Sequence, residues 1–215
     1  MERKGHRGAT RYRATSMSAR TDLFPTMFTP GAQFASKKKK HPHVVTLQPI
    51  GMLHLPSGRV VTGEAIGALD LEPFSRTVQP GIYPVEASLI TMSADEARIA
   101  AVRIMFSREP VVTWEIAQGG SGGAPGYRGT LGLFIDAQIV PALQVYIDGC
   151  DAEWWYEPPK TRGERWEVAC FTPNDDRPET CALFAPGNYD DPIISYWGLD
   201  ATSTPAMLIS DFNVF

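Results

Sequence analysis

Hydrophobic and polar residues alternate over short stretches of the chain from residue 43 onward. A period of two is typical of β-strands that bury one face. Segments 44–55 and 59–62 flank the turn residues Pro56-Ser57-Gly58, so they are predicted to form a first hairpin. Segments 81–90 and 97–106 are predicted to form a second hairpin. Further strands are expected at 111–116, 127–134, 165–171, 180–184, 193–197 and 206–212.

One segment has a helical period instead, and it predicts a helix over residues 137–147. Its apolar residues at helical spacing are Ile139, Val140, Leu143 and Ile147. Pro141 fits only near the first turn, and Gly149 is expected to end the helix. Strands therefore outnumber helices, and turns follow at short intervals. This pattern predicts a mainly β fold (α+β), an antiparallel sheet or sandwich with one or two short helices.

Charge divides the chain into two parts. Residues 1–42 contain ten Lys and Arg against two acids, so the remainder of the 20 basic and 24 acidic residues leaves 10 and 22 in residues 43–215. The formal charge of −4 is thus the sum of about +8 and about −12. We predict a disordered basic tail over 1–42, dispensable for folding, and a single β-rich domain over 43–215. Leu23–Phe28 is the apolar stretch of the tail that could dock on the domain.

The charge pattern also indicates the class of partner. An acidic domain favours basic proteins and repels nucleic acids and membrane surfaces. If nucleic acid binds at all, it is therefore expected to bind the basic tail. The Lys37–Lys40 run suits a nuclear or nucleic-acid patch, whereas the Arg- and Ser-rich composition suits an organelle transit peptide. A mis-assigned start codon is a third alternative to plain disorder.

Composition favours a reducing compartment such as the cytoplasm. The three cysteines, Cys150, Cys170 and Cys181, are too few and too scattered for a disulfide framework. No stretch approaches the roughly 20 apolar residues that cross a bilayer. A membrane partner is therefore not expected.

No complete catalytic signature is present. The glycine-rich stretch 118–126 lacks the Gly-Lys-Ser/Thr of a phosphate-binding loop. His54 is the only histidine after residue 43, and no Gly-x-Ser-x-Gly elbow accompanies it. These absences weigh against nucleotide binding, a serine hydrolase and a histidine-based zinc site.

Four carboxylates nevertheless remain candidates for chemistry. Under a hypothesis of metal-assisted hydrolysis, Asp136, Asp200 and Asp211 would bind a divalent metal and Glu115 would serve as acid or base. Glu115, Asp136 and Asp200 are then the candidate catalytic residues. The competing interpretations are structural: Asp136 caps a helix, and Asp200 bonds the backbone of loop 201–204.

Aromatic residues point to a binding protein instead. Trp154, Trp155 and Tyr156 lie among Asp151, Glu153 and Glu157, and an aromatic patch ringed by carboxylates suits a basic partner. Trp197 is a further candidate binding residue. The leading hypothesis is a non-enzymatic, acidic binding protein that captures a basic protein, as immunity proteins of bacterial toxin systems do. It requires no cofactor, whereas the hydrolase alternative requires a divalent metal.

Several short phrases occur in an order that resembles one family. They are Leu55-Pro56-Ser57-Gly58, Pro80-Gly81-Ile82-Tyr83-Pro84-Val85, Arg98-Ile99-Ala100-Ala101-Val102, Trp114-Glu115, Phe134-Ile135-Asp136, Ser195-Tyr196-Trp197-Gly198-Leu199-Asp200 and Asp211-Phe212. Together they resemble a widespread, mostly bacterial domain of unknown function over roughly residues 50–215. The resemblance implies no activity. Loops 63–65 and 187–191 depart from the family pattern, so a ligand held there by relatives would be bound differently.

Overall fold

The structure is a computed structural model. It describes residues 20–35, 42–65, 72–93, 96–120, 126–127, 132–149, 168–171, 180–184 and 193–214. The helices with bounds inside these residues are α1 (Phe24–Met27) and α2 (Val140–Gly149), and residues 20–21 are also helical. The strands are β1 (Gln33–Phe34), β2 (His43–Leu55), β3 (Val60–Glu64), β4 (Gly81–Ser93), β5 (Glu96–Met105), β6 (Thr113–Ile116), β7 (Gly126–Tyr127), β8 (Gly132–Asp136), β9 (Val168–Phe171), β10 (Cys181–Phe184), β11 (Ile193–Leu199) and β12 (Pro205–Asp211).

These strands form two antiparallel sheets. The large sheet has eight strands in the order β1-β2-β4-β5-β12-β11-β6, with β7 also paired to β11. The small sheet has the order β3-β8-β10-β9. The predicted mainly β, antiparallel fold is therefore confirmed.

The two sheets pack face to face over the main core. Phe134 of β8 and Trp197 of β11 both belong to this core cluster, and both are fully buried. Because successive side chains of a strand point to opposite faces, Leu133 faces away from that core and packs with Leu143 of α2. The outer face of the large sheet carries a third cluster, which includes Tyr196. The order of layers is thus N-terminal segment, large sheet, small sheet and α2.

Residues 20–35, here called the strap, cover part of the outer face of the large sheet and then join its edge as β1. Phe24 and Met27 are 1% and 0% exposed, and they share a cluster with Val45 of β2. Backbone bonds of 2.9 Å run from the Gly31 N–H to the Val45 carbonyl and from the Val45 N–H to the Ala32 carbonyl. The strap is therefore part of the fold.

This finding corrects the predicted boundary at residue 42. The expected disorder does not hold for residues 20–35, because their few apolar side chains are concentrated on one buried surface. The alternative in which Leu23–Phe28 docks on the domain is confirmed. Residues 1–19 and 36–41 lie outside the described residues, so the prediction of disorder there stays a prediction.

The first predicted hairpin is wrong, whereas the second is confirmed. β2 pairs with β4 in the large sheet, but β3 pairs with β8 in the small sheet. The turn at 55–58 carries the chain from one sheet to the other, with Gly58 at a φ of +68° and its N–H bonded to the Leu55 carbonyl at 3.2 Å. β4 and β5 pair as predicted, from Val85 opposite Ile104 to Ser93 opposite Glu96.

The helix begins three residues later than predicted. The Ile139 N–H bonds to the Asp136 carbonyl at 2.9 Å, so residues 136–139 form a turn before α2 starts at Val140. Pro141 lies in the first turn of the helix, as expected. Neither α1 nor α2 is long and apolar enough to cross a membrane, and this finding covers the described residues alone.

Candidate functional site

The four candidate carboxylates lie on separate elements. Glu115 belongs to β6, Asp136 ends β8, Asp200 follows β11, and Asp211 ends β12. Within the described ranges, no three His, Cys, Asp or Glu residues lie together in a way that could hold a metal ion. The contacts of each carboxylate show what it does instead.

The Asp136 carboxylate binds the turn that joins the two sheets. It is fully buried, and it accepts hydrogen bonds from the Ser57 N–H at 2.9 Å and from the Ser57 hydroxyl at 2.8 Å. The Gln138 N–H donates a third bond at 2.9 Å. Since several donors satisfy this buried charge, Asp136 acts as a structural anchor and caps the turn before α2. Two phrases of the family resemblance, at residues 55–58 and 134–136, thus meet in space.

Asp211 anchors the strap. Its carboxylate is 3% exposed and forms a two-point ion pair with the Arg20 guanidinium, and it also accepts a bond from the Asn213 N–H at 3.0 Å. Tyr196 lies close by on the same face of the sheet. Burial, followed by the negative charge of Asp211, raises the pKa of Tyr196 to about 12. The Tyr196 phenol therefore stays protonated at neutral pH and is not a candidate for acid or base chemistry there.

Glu115 and Asp200 are accessible but engaged. Glu115, with 37% of its side chain exposed, forms a two-point ion pair with Arg76, in which one N–H···O distance is 2.9 Å. This hydrogen bond raises the pKa of Arg76. Asp200 accepts bonds from the Thr202 hydroxyl at 2.7 Å and from the Thr204 N–H at 3.0 Å, and these bonds, Thr202 first, lower its pKa. The predicted bonding of Asp200 within its own loop is confirmed.

The aromatic candidates are divided by their position. Trp154, Trp155 and Tyr156 lie outside the described residues. Trp197 is fully buried between the sheets, with the rings of Phe74 and Phe106 each centred 5.8 Å from its own. The prediction that Trp197 binds a partner is therefore wrong, because its ring has no exposed area.

One concave site was missed by the sequence reasoning. A cleft of about 250 Å³ opens beside the strap on the outer face of the large sheet. It is lined by Phe24, Pro25, Phe28, Arg103, Glu109, Pro110, Val111, Trp114, Met207 and Ile209. We call it the strap cleft. No local sequence pattern could reveal it, because its walls come from the strap, the strands β5, β6 and β12, and the connection before β6.

Charge in the strap cleft is arranged around Arg103. Its guanidinium lies 4.4 Å from the centre of the Phe28 ring and donates to the Glu86 carboxylate at 2.6 Å. Trp114 also lines the cleft, and its ring makes an edge contact with that of Phe24 at 4.8 Å between ring centres. Glu109 stands exposed at the rim. The cleft therefore combines an aromatic wall with one carboxylate at its entrance.

Comparison with protein families finds one match. A family described as Protein of unknown function (DUF4241) matches residues 53–124. The match includes the phrases at 55–58, 80–85, 98–102 and 114–115, and it agrees with the resemblance to a domain of unknown function with no assigned activity. Neither the curated proteins nor the solved structures contain a match.

Proposed function

We propose that this protein is a non-enzymatic, acidic binding protein that captures a basic protein partner. The observation that carries the proposal is the distribution of negative charge. Three carboxylates of the described residues, Glu86, Glu115 and Asp211, are paired with arginines of the same chain. Because each pair is neutral, these carboxylates contribute little to the electrostatic attraction of a basic partner.

The excess of acid lies elsewhere in the chain. Residues 148–191 contain eleven Asp and Glu against four Lys and Arg, a net charge of −7 out of about −12 for residues 43–215. The same segment contains Trp154, Trp155 and Tyr156. A cluster of unbalanced charge accelerates the association of an oppositely charged partner, and aromatic residues supply the contact area that holds it.

Immunity proteins that neutralise bacterial toxins are one class with this combination of features, and we propose the same kind of role here by analogy. The alternative, a metal-assisted hydrolase, is not favoured by any observation on the described residues. It is tested directly by calorimetric titration of the protein with Mg²⁺, Mn²⁺ and Ca²⁺, where a saturable heat would support it and would count against the binding proposal.

The proposal is tested by affinity capture with the full chain as bait. The wild type is compared with a double variant, Asp151→Asn with Glu153→Gln, which removes two charges from the aromatic segment. The matched control is Asp22→Asn with Glu72→Gln, which removes two charges from exposed positions elsewhere. The bound proteins are washed at low or at physiological ionic strength, and those retained are identified by mass spectrometry.

The expected result is one basic protein that is retained by the wild type and the control and is depleted on the aromatic-segment variant. Capture should weaken as salt increases, because screening acts on exposed charges. Recovery of no specific basic protein at either ionic strength, or equal retention by both variants, would contradict the proposal.

A further inference from the structure

From the contacts of the strap we infer that it is an autoinhibitory segment, which occupies within its own chain a docking site for a helical segment of the basic partner. The site is the part of the outer face of the large sheet that lies beneath the strap. The segment that fits carries an arginine and, four residues later, an aromatic residue. This inference rests on the proposed function and names a surface at which the partner is recognised.

The buried residues of the strap have the spacing of a helix that docks in a groove. Those that are 7% exposed or less include, at positions i, i+4, i+7 and i+8, Arg20, Phe24, Met27 and Phe28. Residues 20–21 and 24–27 are helical, with a turn between them. Helical peptides that bind protein grooves are recognised through anchors at this spacing. The strap therefore lies on the sheet in the manner of a bound peptide.

The face beneath the strap recognises two of these anchors through specific side chains. The Arg20 guanidinium forms its two-point ion pair with the buried Asp211 carboxylate. The Phe24 ring makes edge contacts with the rings of Tyr196 and Trp114, at 5.0 and 4.8 Å between centres. Two-point pairing of a guanidinium and packing of aromatic rings are typical of specific interfaces. The site thus selects an arginine and an aromatic residue four positions apart.

The sheet also binds the backbone at the end of the helical turn. The hydroxyl of Ser88, which is fully buried, donates to the Met27 carbonyl. The last carbonyls of a helix have no partner within it, and here the Gly31 N–H bonds to the Val45 carbonyl instead. A contact to a backbone carbonyl does not depend on the side chain. Ser88 can therefore serve a partner segment of different sequence.

The strap can leave the sheet without disrupting the other strand pairs. α1 has four residues, and its N-cap Leu23 makes no side-chain capping bond, so this helical turn depends on docking. Among the strand pairs of the described residues, the strap takes part in one, β1 with β2 at the edge of the large sheet. Displacement of the strap would leave the remaining pairs of both sheets in place.

The buried ion pair favours exchange of the strap for a basic segment. A buried pair gives little net stability over apolar residues, whereas a buried carboxylate without a cation is costly. The arginine of a partner can replace Arg20 and keep Asp211 paired throughout, which a neutral helix cannot do. The strap itself comes from the basic part of the chain, residues 1–42. It presents to the acidic domain the same charge as the proposed partner.

The experiment uses the full chain and a fluorescent synthetic peptide with the sequence of residues 20–35, and it measures binding by anisotropy. In the wild type the strap competes with the peptide. Phe24→Leu in the chain should tighten peptide binding about five-fold or more, and Phe24→Ala about 100-fold or more, because a weakened strap competes less. Phe24→Leu carries the test if Phe24→Ala does not fold. Val145→Ala in α2, 74% exposed, is the matched control and should bind like the wild type.

A second peptide carries Arg20→Gln and tests the role of the ion pair. It should bind the Phe24→Leu chain about 30-fold or more weakly than the first peptide, because it leaves Asp211 without a counter-charge. No saturable binding to Phe24→Leu, equal affinity of the wild type and Phe24→Leu, or equal affinity of the two peptides would overturn the inference. Wild-type dimers that the first peptide dissociates, seen by analytical ultracentrifugation, would also overturn it, because they would assign the site to the strap of a second copy.

The inference and the proposed function fail in different ways. A basic partner retained in the affinity capture should be released by an excess of the first peptide. If the partner is captured but not released, the site assignment falls and the function stands. If the peptides bind as expected but no basic protein is captured, the function falls and the face beneath the strap remains a site for an arginine-bearing helix.

Discussion

Replacing Phe24 by alanine should destabilise the protein strongly, although this residue lies in a segment whose sequence indicates disorder. Its ring is 1% exposed and makes edge contacts with Trp114 and Tyr196, with ring centres 4.8 and 5.0 Å away. Truncation of a buried phenylalanine to alanine costs about 3–5 kcal/mol in unfolding free energy. For a chain of this size, that loss corresponds to a fall in Tm of about 6–20 °C.

The assay is urea and thermal unfolding followed by far-UV circular dichroism, which avoids a direct effect of the substitution on the fluorescence of Trp114. Val145→Ala is the matched control, because this apolar side chain of α2 is 74% exposed and its truncation should change stability by less than about 0.5 kcal/mol. If Phe24→Ala unfolds at the same urea concentration as Val145→Ala, the strap is not part of the stable fold and the boundary near residue 42 was right.

Three further predictions concern the buried polar contacts. Arg20→Met should cost about 3–5 kcal/mol in unfolding free energy, because it leaves the buried Asp211 carboxylate without its counter-charge, and the double variant with Asp211→Leu should recover part of the loss in urea unfolding. Ser57→Ala should cost about 1–3 kcal/mol, measured in the same way, because it removes the hydroxyl donor to the buried Asp136 carboxylate. Since the pKa of Tyr196 is raised to about 12, the folded state keeps the phenol proton where the unfolded state has lost it, so stability is full below a pH of about 10 and falls as the pH rises toward 12. Tyr196→Phe should show a shallower fall over that range, and an identical pH profile for both proteins would contradict this assignment.

The local patterns of the sequence were sufficient for the fold class and for contacts between near neighbours. Alternation in 81–90 and 97–106 predicted the β4–β5 hairpin, because strands close in sequence pair across a short turn. The sequence also predicted the loop bonds of Asp200 and a capping role for Asp136, because acidic side chains accept hydrogen bonds from backbone N–H groups two residues ahead; the Gln138 N–H donates such a bond to Asp136.

Contacts between distant parts of the chain could not be predicted in this way. Arg20 and Asp211 are 191 positions apart. Nothing in the sequence of residues 1–42 distinguishes Arg20, which is buried, from the other Lys and Arg residues of that segment. Phe24 and Met27 fall in a basic segment with no sustained period, so their burial depends on the groove that the large sheet offers. The turn at Pro56-Ser57-Gly58 has the same local chemistry whether it joins two strands of one sheet or passes between sheets.

The candidate site was predicted least well, for a physical reason. In the sequence, Glu115 and Asp211 are candidates for acid–base catalysis or metal binding. In the fold, each forms an ion pair with an arginine from another part of the chain. Conversely, Glu109 and Trp114 form a cleft only after the strap has docked beside them. Sites of this kind depend on tertiary packing, which local patterns do not encode.

The measurement that tests the proposed function most directly is the calorimetric affinity of the captured partner for three proteins at two ionic strengths. These proteins are the wild type, the Asp151→Asn/Glu153→Gln variant and the Asp22→Asn/Glu72→Gln control. Loss of two charges from the acidic segment should weaken binding about 2- to 30-fold, and more at low than at physiological salt. The control should bind like the wild type. Equal affinities for all three proteins, or binding that does not depend on salt, would contradict capture of a basic partner by the acidic segment.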